Sequence, residues 1–237
     1  LSGCSMAPKY VQPAMPVPAS WPAGDAYLAQ SEAALPVLSV SAPFKSGFQG
    51  VADYTDVAAG PLAINSAADL YLYPNTVYAV KVNGAQIKDW LEAAAQRFNQ
   101  IDPAKTAPQQ LISSFPGYNF DMFTTPEVQY EIDVTQAKGS RIHGLSYQGQ
   151  PMSATQDFVI ATNNYRAYGE KFAGTGEKQV AFASPDENRA VLAAYISAET
   201  KKAGEVKPAA DNNWRLAKIV SDTPLDIRVE TSPSPKA

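Results

Sequence analysis

One stretch of the chain joins a predicted strand to a candidate binding loop, and it reads Phe158-Val159-Ile160-Ala161-Thr162-Asn163-Asn164-Tyr165-Arg166-Ala167-Tyr168-Gly169. The apolar run at its start predicts a β-strand, and the amides, tyrosines and glycine that follow are typical of a strand end. A ring presented there, such as that of Tyr165, can stack on a flat heterocycle and tolerate several bases, because every base has a π-face. The alternative is a buried tyrosine that packs a loop.

Length and composition indicate a compact protein. The chain has 237 residues, of which 45% are hydrophobic, enough for one large domain or two small ones. A net charge of −4 argues against a nucleic-acid polymer as partner, because polyphosphate binding normally requires a basic surface. A mononucleotide needs only one or two local cations and stays allowed. The single cysteine excludes an intrachain disulfide, and no apolar run is long enough to predict a membrane span.

Alternating strand and helix patterns predict a mixed α/β fold. Strand patterns occupy residues 77–82, 128–134, 142–147 and 157–162, and Gly149 lies in a turn before the last of them. After Asn83-Gly84, which reads as a turn, apolar residues recur at helical spacing and are expected in the core: Ile87, Trp90, Leu91, Ala94 and Phe98. Asp102-Pro103 ends that pattern.

A second helix is predicted after residue 184. Ser184-Pro185-Asp186-Glu187 has the form of a capping box with proline at the first helical position. The expected helix would end at Gly204 and bury four apolar side chains, those of Val191, Leu192, Tyr195 and Ile196. The alternation at residues 226–230 predicts a final strand.

Catalytic patterns are missing from the sequence. A metal-dependent hydrolase needs several His, Asp and Asn ligands, whereas this chain has one histidine, His143, in a predicted strand. The sequence also lacks the G-x-S-x-G motif of serine hydrolases. We therefore predict no catalytic residue and no metal ligand in this chain, and a structural role for His143.

Five sequence motifs, taken in their order and spacing along the chain, resemble the C-terminal domain of the periplasmic 2′,3′-cyclic-nucleotide 2′-phosphodiesterase/3′-nucleotidase family. This family lies within the 5′-nucleotidase superfamily. The motifs are Leu70-Tyr71-Leu72-Tyr73-Pro74-Asn75, Tyr118-Asn119-Phe120-Asp121, residues 161–169 of the stretch above, Phe182-Ala183-Ser184-Pro185-Asp186-Glu187-Asn188-Arg189 and Ala210-Asp211-Asn212-Asn213-Trp214-Arg215. The resemblance implies a layered α/β/β/α substrate-binding domain over residues 31–231.

The resemblance also implies how a substrate would be held. A nucleobase would lie between the rings of Tyr73 and Tyr165, with the Asn75 amide at the base edge. The substrates would be 3′-nucleotides and 2′,3′-cyclic nucleotides. Two divalent metal ions would belong to an N-terminal metallophosphoesterase domain, which relatives carry upstream and which this sequence lacks. We expect no cofactor in the chain itself.

Other site predictions are less direct. Lys45 occupies a position where relatives carry an arginine, and it could either act as a point charge for phosphate or be solvated. Arg166 could either reach a phosphate or pair with an acidic neighbour. Tyr118 fits a pocket wall or the core equally well. Glu170 replaces an expected glycine and would add strain and negative charge near an anionic substrate, partly offset by Lys171.

The first residues suggest a membrane tether. Leu1-Ser2-Gly3-Cys4 resembles the end of a bacterial lipoprotein signal, and residues 1–22 resemble the Pro-rich leader of outer-membrane efflux lipoproteins. We expect a leader or linker at 1–30, a flexible tail at 232–237, acylation at Cys4, and a periplasmic or outer-membrane-anchored protein. The alternative to nucleotide recognition is a non-enzymatic envelope lipoprotein or interaction module that uses the same fold.

Overall fold

The computed structural model describes residues 35–43, 45, 55, 57–113, 120–169 and 172–229. The predicted leader, Cys4, Tyr118, Glu170, Lys171 and the tail lie outside them. The described strands are β1 (Val37–Ser41), β2 (Thr76–Asn83), β3 (Gln109–Gln110), β4 (Met122–Phe123), β5 (Val128–Ile132), β6 (Ile142–Tyr147), β7 (Gln150–Pro151), β8 (Asp157–Asn163), β9 (Val180–Glu187), β10 (Trp214–Leu216) and β11 (Ile227–Arg228). The helices are α1 (Ile64–Leu70), α2 (Gly84–Ala94), α3 (Asn164–Tyr168) and α4 (Asn188–Ala203), with 3₁₀ turns at Ala95–Arg97 and Glu177–Gln179.

The strands form two main sheets, which confirms the predicted mixed α/β class. The larger sheet has the order β4-β1-β8-β2-β9, the second has the order β10-β5-β6-β7, and β11 pairs with β3. In the larger sheet β8 is central, parallel to β1 and antiparallel to β2. One hydrophobic core draws on both main sheets and on α2, which packs against β2 and β6.

The predicted first helix is confirmed as α2, and the five positions expected in the core are all buried. The helix ends earlier than predicted, because Phe98 follows the 3₁₀ turn and is extended. It begins differently from the predicted turn. Asn83 is its N-cap, and Asn83 and Gln86 form a capping box, with side-chain oxygens accepting backbone N–H groups at 3.0 and 2.8 Å. Gly84 is required for space, because a Cβ there would lie 2.2 Å from the Ser153 carbonyl oxygen.

A buried polar network fixes the end of α2 against the second sheet. The Glu92 carboxylate accepts the backbone N–H groups of Arg141 and Ile142 at 3.0 and 2.8 Å. Arg141 donates from Nη1 to the carbonyls of Ala95 and Phe98 at 2.9 and 2.7 Å, so the last turn of this helical segment is capped by a side chain from another element. Burial lowers the pKa of Arg141, a cost partly offset by the Glu92 charge.

The predicted start of the second helix is wrong. Residues 184–187 continue β9, and α4 begins at Asn188. Pairing with β2 explains the difference: Thr76 faces Glu187 while Tyr78 faces Ala183, so the residues between form a bulge that accommodates Pro185. Ser184 closes this bulge locally, since its Oγ accepts the Asp186 N–H at 3.1 Å.

The predicted burial on α4 is also wrong. No residue of α4 is buried, and Val191 and Tyr195 are 38% and 58% exposed. Its predicted end is confirmed, because Gly204 adopts φ 84°, the left-handed conformation of a helix C-cap.

Most of the other predicted strands are confirmed with small changes of length. The strand predicted at 128–134 ends at Ile132, and that predicted at 226–230 is only Ile227–Arg228. Gly149 lies in a turn with φ 76°, between β6 and β7. Among the described residues, no helix has the length and apolar composition needed to cross a membrane.

Candidate functional site

The candidate site lies at one edge of the larger sheet, where β2 begins and β8 ends. The antiparallel pairing sets Val77 opposite Asn163, so the segment before β2 and the helix after β8 emerge side by side. The first segment, residues 71–75, carries Tyr73 and Asn75, and the helix is α3, which carries Tyr165. The sheet register therefore brings the two predicted stacking segments together.

Side-chain hydrogen bonds tie these two segments to each other. Asn163 Nδ2 donates to the Tyr71 hydroxyl at 2.7 Å, and the Thr76 N–H donates to Asn164 Oδ1 at 3.3 Å. The Asn75 carbonyl accepts the N–H of Asn188, the first residue of α4, at 2.8 Å. The backbone at Asn75 is thus held by two helices: α3 binds the next residue, Thr76, and α4 binds the Asn75 carbonyl directly.

The two predicted stacking rings are partly open to solvent. Tyr73 is 50% exposed and Tyr165 is 48% exposed. Tyr168, at the other end of α3, is 48% exposed, and its ring meets Tyr78 edge to face at a centroid distance of 5.3 Å. A hydrogen bond with the Tyr78 hydroxyl raises the pKa of Tyr168. This edge of the sheet therefore presents the rings of Tyr73, Tyr165 and Tyr168, beside the exposed Leu72.

Arg166 takes the second of its two predicted roles, since it pairs with an acidic neighbour. Its Nε and Nη2 donate to Asp121 Oδ2 and Oδ1 at 2.9 and 2.6 Å, and the two side chains are only 2% and 1% exposed. Trp90 Nε1 donates to the same Asp121 Oδ2 at 2.8 Å. The guanidinium therefore lies beneath α3, inside the protein.

Lys45 also has a partner. Its Nζ lies 2.6 Å from Asp69 Oδ1, with side-chain exposures of 15% for the lysine and 48% for the aspartate. Asp69 belongs to α1, directly before the segment that carries Tyr73. An anion that used Lys45 would have to compete with this carboxylate.

The two metal ions that the resemblance implies are expected on an N-terminal domain and not on the residues described here. Among them, no group of three or more His, Cys, Asp or Glu side chains is arranged to hold a metal ion. His143 is exposed in β6, where a ring nitrogen lies 3.2 Å from the Ser140 carbonyl oxygen.

A surface cavity of about 270 Å³ lies on the second sheet. It is lined by residues of β5, β6 and β10 and of the segment before β10, and none of the predicted site residues borders it. Its one buried aromatic side chain is Tyr130, whose pKa is raised by burial. This surface does not coincide with the proposed stacking residues.

Residues 25–174 match the family model of the 5′-nucleotidase C-terminal domain. The chain belongs to this family. It is 55% identical over 219 residues to the 2′,3′-cyclic-nucleotide 2′-phosphodiesterase/3′-nucleotidase of Yersinia enterocolitica, covering 86% of this chain and 33% of that protein. The protein of that name from Salmonella typhimurium is 54% identical, with 86% and 34% covered. The chain thus spans about a third of the length of these relatives.

The fold of the family is visible in a solved structure as well. The 5′-nucleotidase precursor of Thermus thermophilus superimposes with a TM-score of 0.54 at 15% identity, covering 83% of this chain and 34% of that one. At this identity the likeness concerns the fold alone. It agrees with the mixed α/β architecture of the 5′-nucleotidase C-terminal domain described above.

Sequence reasoning missed the residues that hold the site together: Asn163, Asn164, Tyr71 and Asp121. Asn163 and Asn164 had a usable signal, because asparagine directly after a strand is a preferred helix N-cap, and Asn163 Oδ1 does accept the Arg166 N–H at 2.9 Å. Asp121 had a weaker one, as a carboxylate next to aromatic Phe120. Their partners lie far away in sequence, so the spacing alone did not identify them.

Proposed function

We propose that this chain is the nucleotide-recognition domain of a metal-dependent 2′,3′-cyclic-nucleotide 2′-phosphodiesterase/3′-nucleotidase. The base would stack between Tyr73 and Tyr165, with the Asn75 amide at its edge. One observation carries the proposal: two half-exposed tyrosines lie on segments that hydrogen bonds join at one sheet edge. The relatives named for this activity, more than half identical over most of the chain, support it.

Stacking accounts for tolerance of several bases. Each ring offers a flat apolar face, and base–aromatic stacking contributes about 1–3 kcal/mol per base whatever the base. One amide adds direction without demanding a single hydrogen-bonding pattern, because it offers both a donor and an acceptor. Adenosine-like ligands, 3′-nucleotides and 2′,3′-cyclic nucleotides are the proposed partners.

Lys45 is the proposed phosphate contact in this domain. It is a point charge without the bidentate fork of arginine, and Asp69 already neutralises it. A phosphate would therefore add little net attraction unless it displaced Asp69. We infer that the base, rather than the phosphate, supplies most of the affinity of this domain for a nucleotide.

Hydrolysis would need groups outside the described residues. In the proposed intact enzyme, two divalent metal ions on a metallophosphoesterase domain would activate water and bind the phosphate, which is the chemistry of two-metal sites. We also propose a periplasmic location, with Cys4 as a lipid attachment point that tethers the chain to the outer membrane. Extraction of the expressed protein with and without detergent, followed by mass spectrometry of the N-terminal peptide, tests the anchor.

Calorimetric titration of adenosine and 3′-AMP, with Mn²⁺ present and released phosphate followed in parallel, tests the main proposal. Saturable binding without turnover is the expected result. Tyr165→Ala and Tyr73→Ala should each weaken binding by about 5- to 150-fold, the equivalent of one lost stack.

Tyr195→Ala is the matched control, since this tyrosine is 58% exposed but lies on α4. It should leave the dissociation constant unchanged. Equal affinity of wild type and Tyr165→Ala would refute the stacking assignment. No binding by the wild-type chain would favour the alternative of a non-enzymatic envelope module.

A further inference from the structure

The helix that carries Tyr165 is too short to hold itself in place. α3 has five residues, little more than one turn, and isolated helices of this length are not stable in water. Tyr165 is half exposed, whereas the next two residues, Arg166 and Ala167, are buried with 2% and 0% exposure. The orientation of the Tyr165 ring therefore depends on what fixes Arg166 and Ala167.

Arg166 is fixed by a buried and geometrically specific contact. The fork of its guanidinium binds both carboxylate oxygens of Asp121, an arrangement that sets orientation as well as distance. Trp90 donates a third hydrogen bond to Asp121 from α2, which is itself held in the core. Asp121 thus connects the rigid helix α2 to the short helix α3.

Aromatic contacts complete the same unit. The Arg166 guanidinium lies 5.8 Å from the centroid of the Phe172 ring, and Phe172 stacks on Trp90 with a centroid distance of 5.1 Å and an interplanar angle of 26°. The guanidinium is therefore in contact with a carboxylate and a ring face that both also contact Trp90. Movement of α3 would break the ion pair and the ring contacts together.

From these contacts we infer that Asp121 is a positioning residue for the nucleobase site, acting through Arg166 on Tyr165. This inference rests on the proposed function, because it assigns the Trp90–Asp121–Arg166 unit to the stacking ring. It also removes Arg166 from the groups that touch substrate. The unit sets the affinity for the base without contacting it.

A double-mutant cycle with adenosine tests the inference. Asp121→Asn keeps the side-chain volume but removes the charge and one acceptor, and adenosine binding should weaken by roughly tenfold. In a Tyr165→Ala background the same substitution should have no further effect, because the ring through which it acts is gone. An equal loss in both backgrounds would overturn the inference and leave Asp121 with a general structural role.

A spectroscopic measurement tests positioning without any ligand. With Tyr165 replaced by 3-fluorotyrosine, the wild-type chain should give one narrow ¹⁹F signal, and Asp121→Asn should shift and broaden it. A 3-fluorotyrosine at position 195 is the control and should not respond. If wild type fails to bind adenosine but the position-165 signal responds, the proposed function fails and the positioning unit stands.

A second variant tests the same inference if Asp121→Asn does not fold. Trp90→Phe removes one donor from Asp121 and keeps the ion pair, so a smaller shift is expected at position 165 and none at 195. Identical position-165 spectra in the wild type and in a folded variant would overturn the inference.

Discussion

The helices α3 and α4 both follow strands of the larger sheet, yet they are held in opposite ways. α3 has five residues and buries two of them, with an ion pair beneath it. α4 has sixteen residues and buries none, although it contacts α1 and β9. The short helix is fixed by a buried ion pair and the contacts around it, whereas the long helix packs on α1 and β9 and is capped only at its C-terminal end, by Gly204.

This difference shows how a fold can hold an exposed side chain, here that of the proposed stacking residue Tyr165, on a short element. An anchored single turn holds Tyr165 at a defined place, because a bidentate pair allows little rotation. Stability and positioning therefore depend on different residues in the two helices.

The largest expected effect comes from the ion pair beneath α3. Arg166→Ala leaves the Asp121 carboxylate buried without its partner, and breaking a buried pair in this way typically costs about 3–5 kcal/mol. Urea denaturation followed by circular dichroism measures the loss in unfolding free energy.

Arg189→Ala at the start of α4 is the matched control for that experiment. Its guanidinium lies 3.7 Å from Glu187, with side-chain exposures of 31% and 50%. An exposed pair of this kind contributes about 0–1 kcal/mol. Similar losses for the two arginines would show that α3 is not anchored more strongly than α4.

An intermediate effect is expected at the C-terminal cap of α4. Gly204 adopts φ 84°, and a Cβ at this position would meet no atom within 4 Å. Gly204→Ala should therefore cost about 1–2 kcal/mol through backbone strain alone. Gly204→Asn should cost less, because asparagine adopts the left-handed conformation more readily. An alanine variant as stable as wild type, by thermal unfolding, would contradict this view of the cap.

The smallest effect is expected on the exposed side of α4. Val191→Ser and Tyr195→Ser should each change the unfolding free energy by less than about 0.5 kcal/mol, because these side chains are not buried. Leu91→Ala in α2, where the side chain is 1% exposed, should cost about 2–5 kcal/mol in the same urea experiment. A large loss from either serine variant would mean that α4 packs more tightly than its exposure indicates.

The strands and α2 were predictable because their signal is local. Ile87, Trp90, Leu91 and Ala94 of α2 recur at the spacing of a buried helix face, and all four are in the core. The start of α4 was not predictable from its capping-box pattern, since pairing of Thr76 with Glu187 extends β9 through that pattern. A contact distant in sequence overrode a short-range preference.

Some properties of this protein follow from its sequence, and others follow only from its tertiary structure. The sequence alone determined the family, the mixed α/β class and the absence of a recognisable catalytic motif. These follow from long motifs in a fixed order and from local periodicity, both of which can be recognised in the sequence itself. Only the tertiary structure decided that Arg166 lies beneath its helix, that Lys45 is paired with Asp69, and that α4 has an exposed side. The physical reason is that ion pairs and burial join residues tens of positions apart, and no local pattern records which partner a side chain meets.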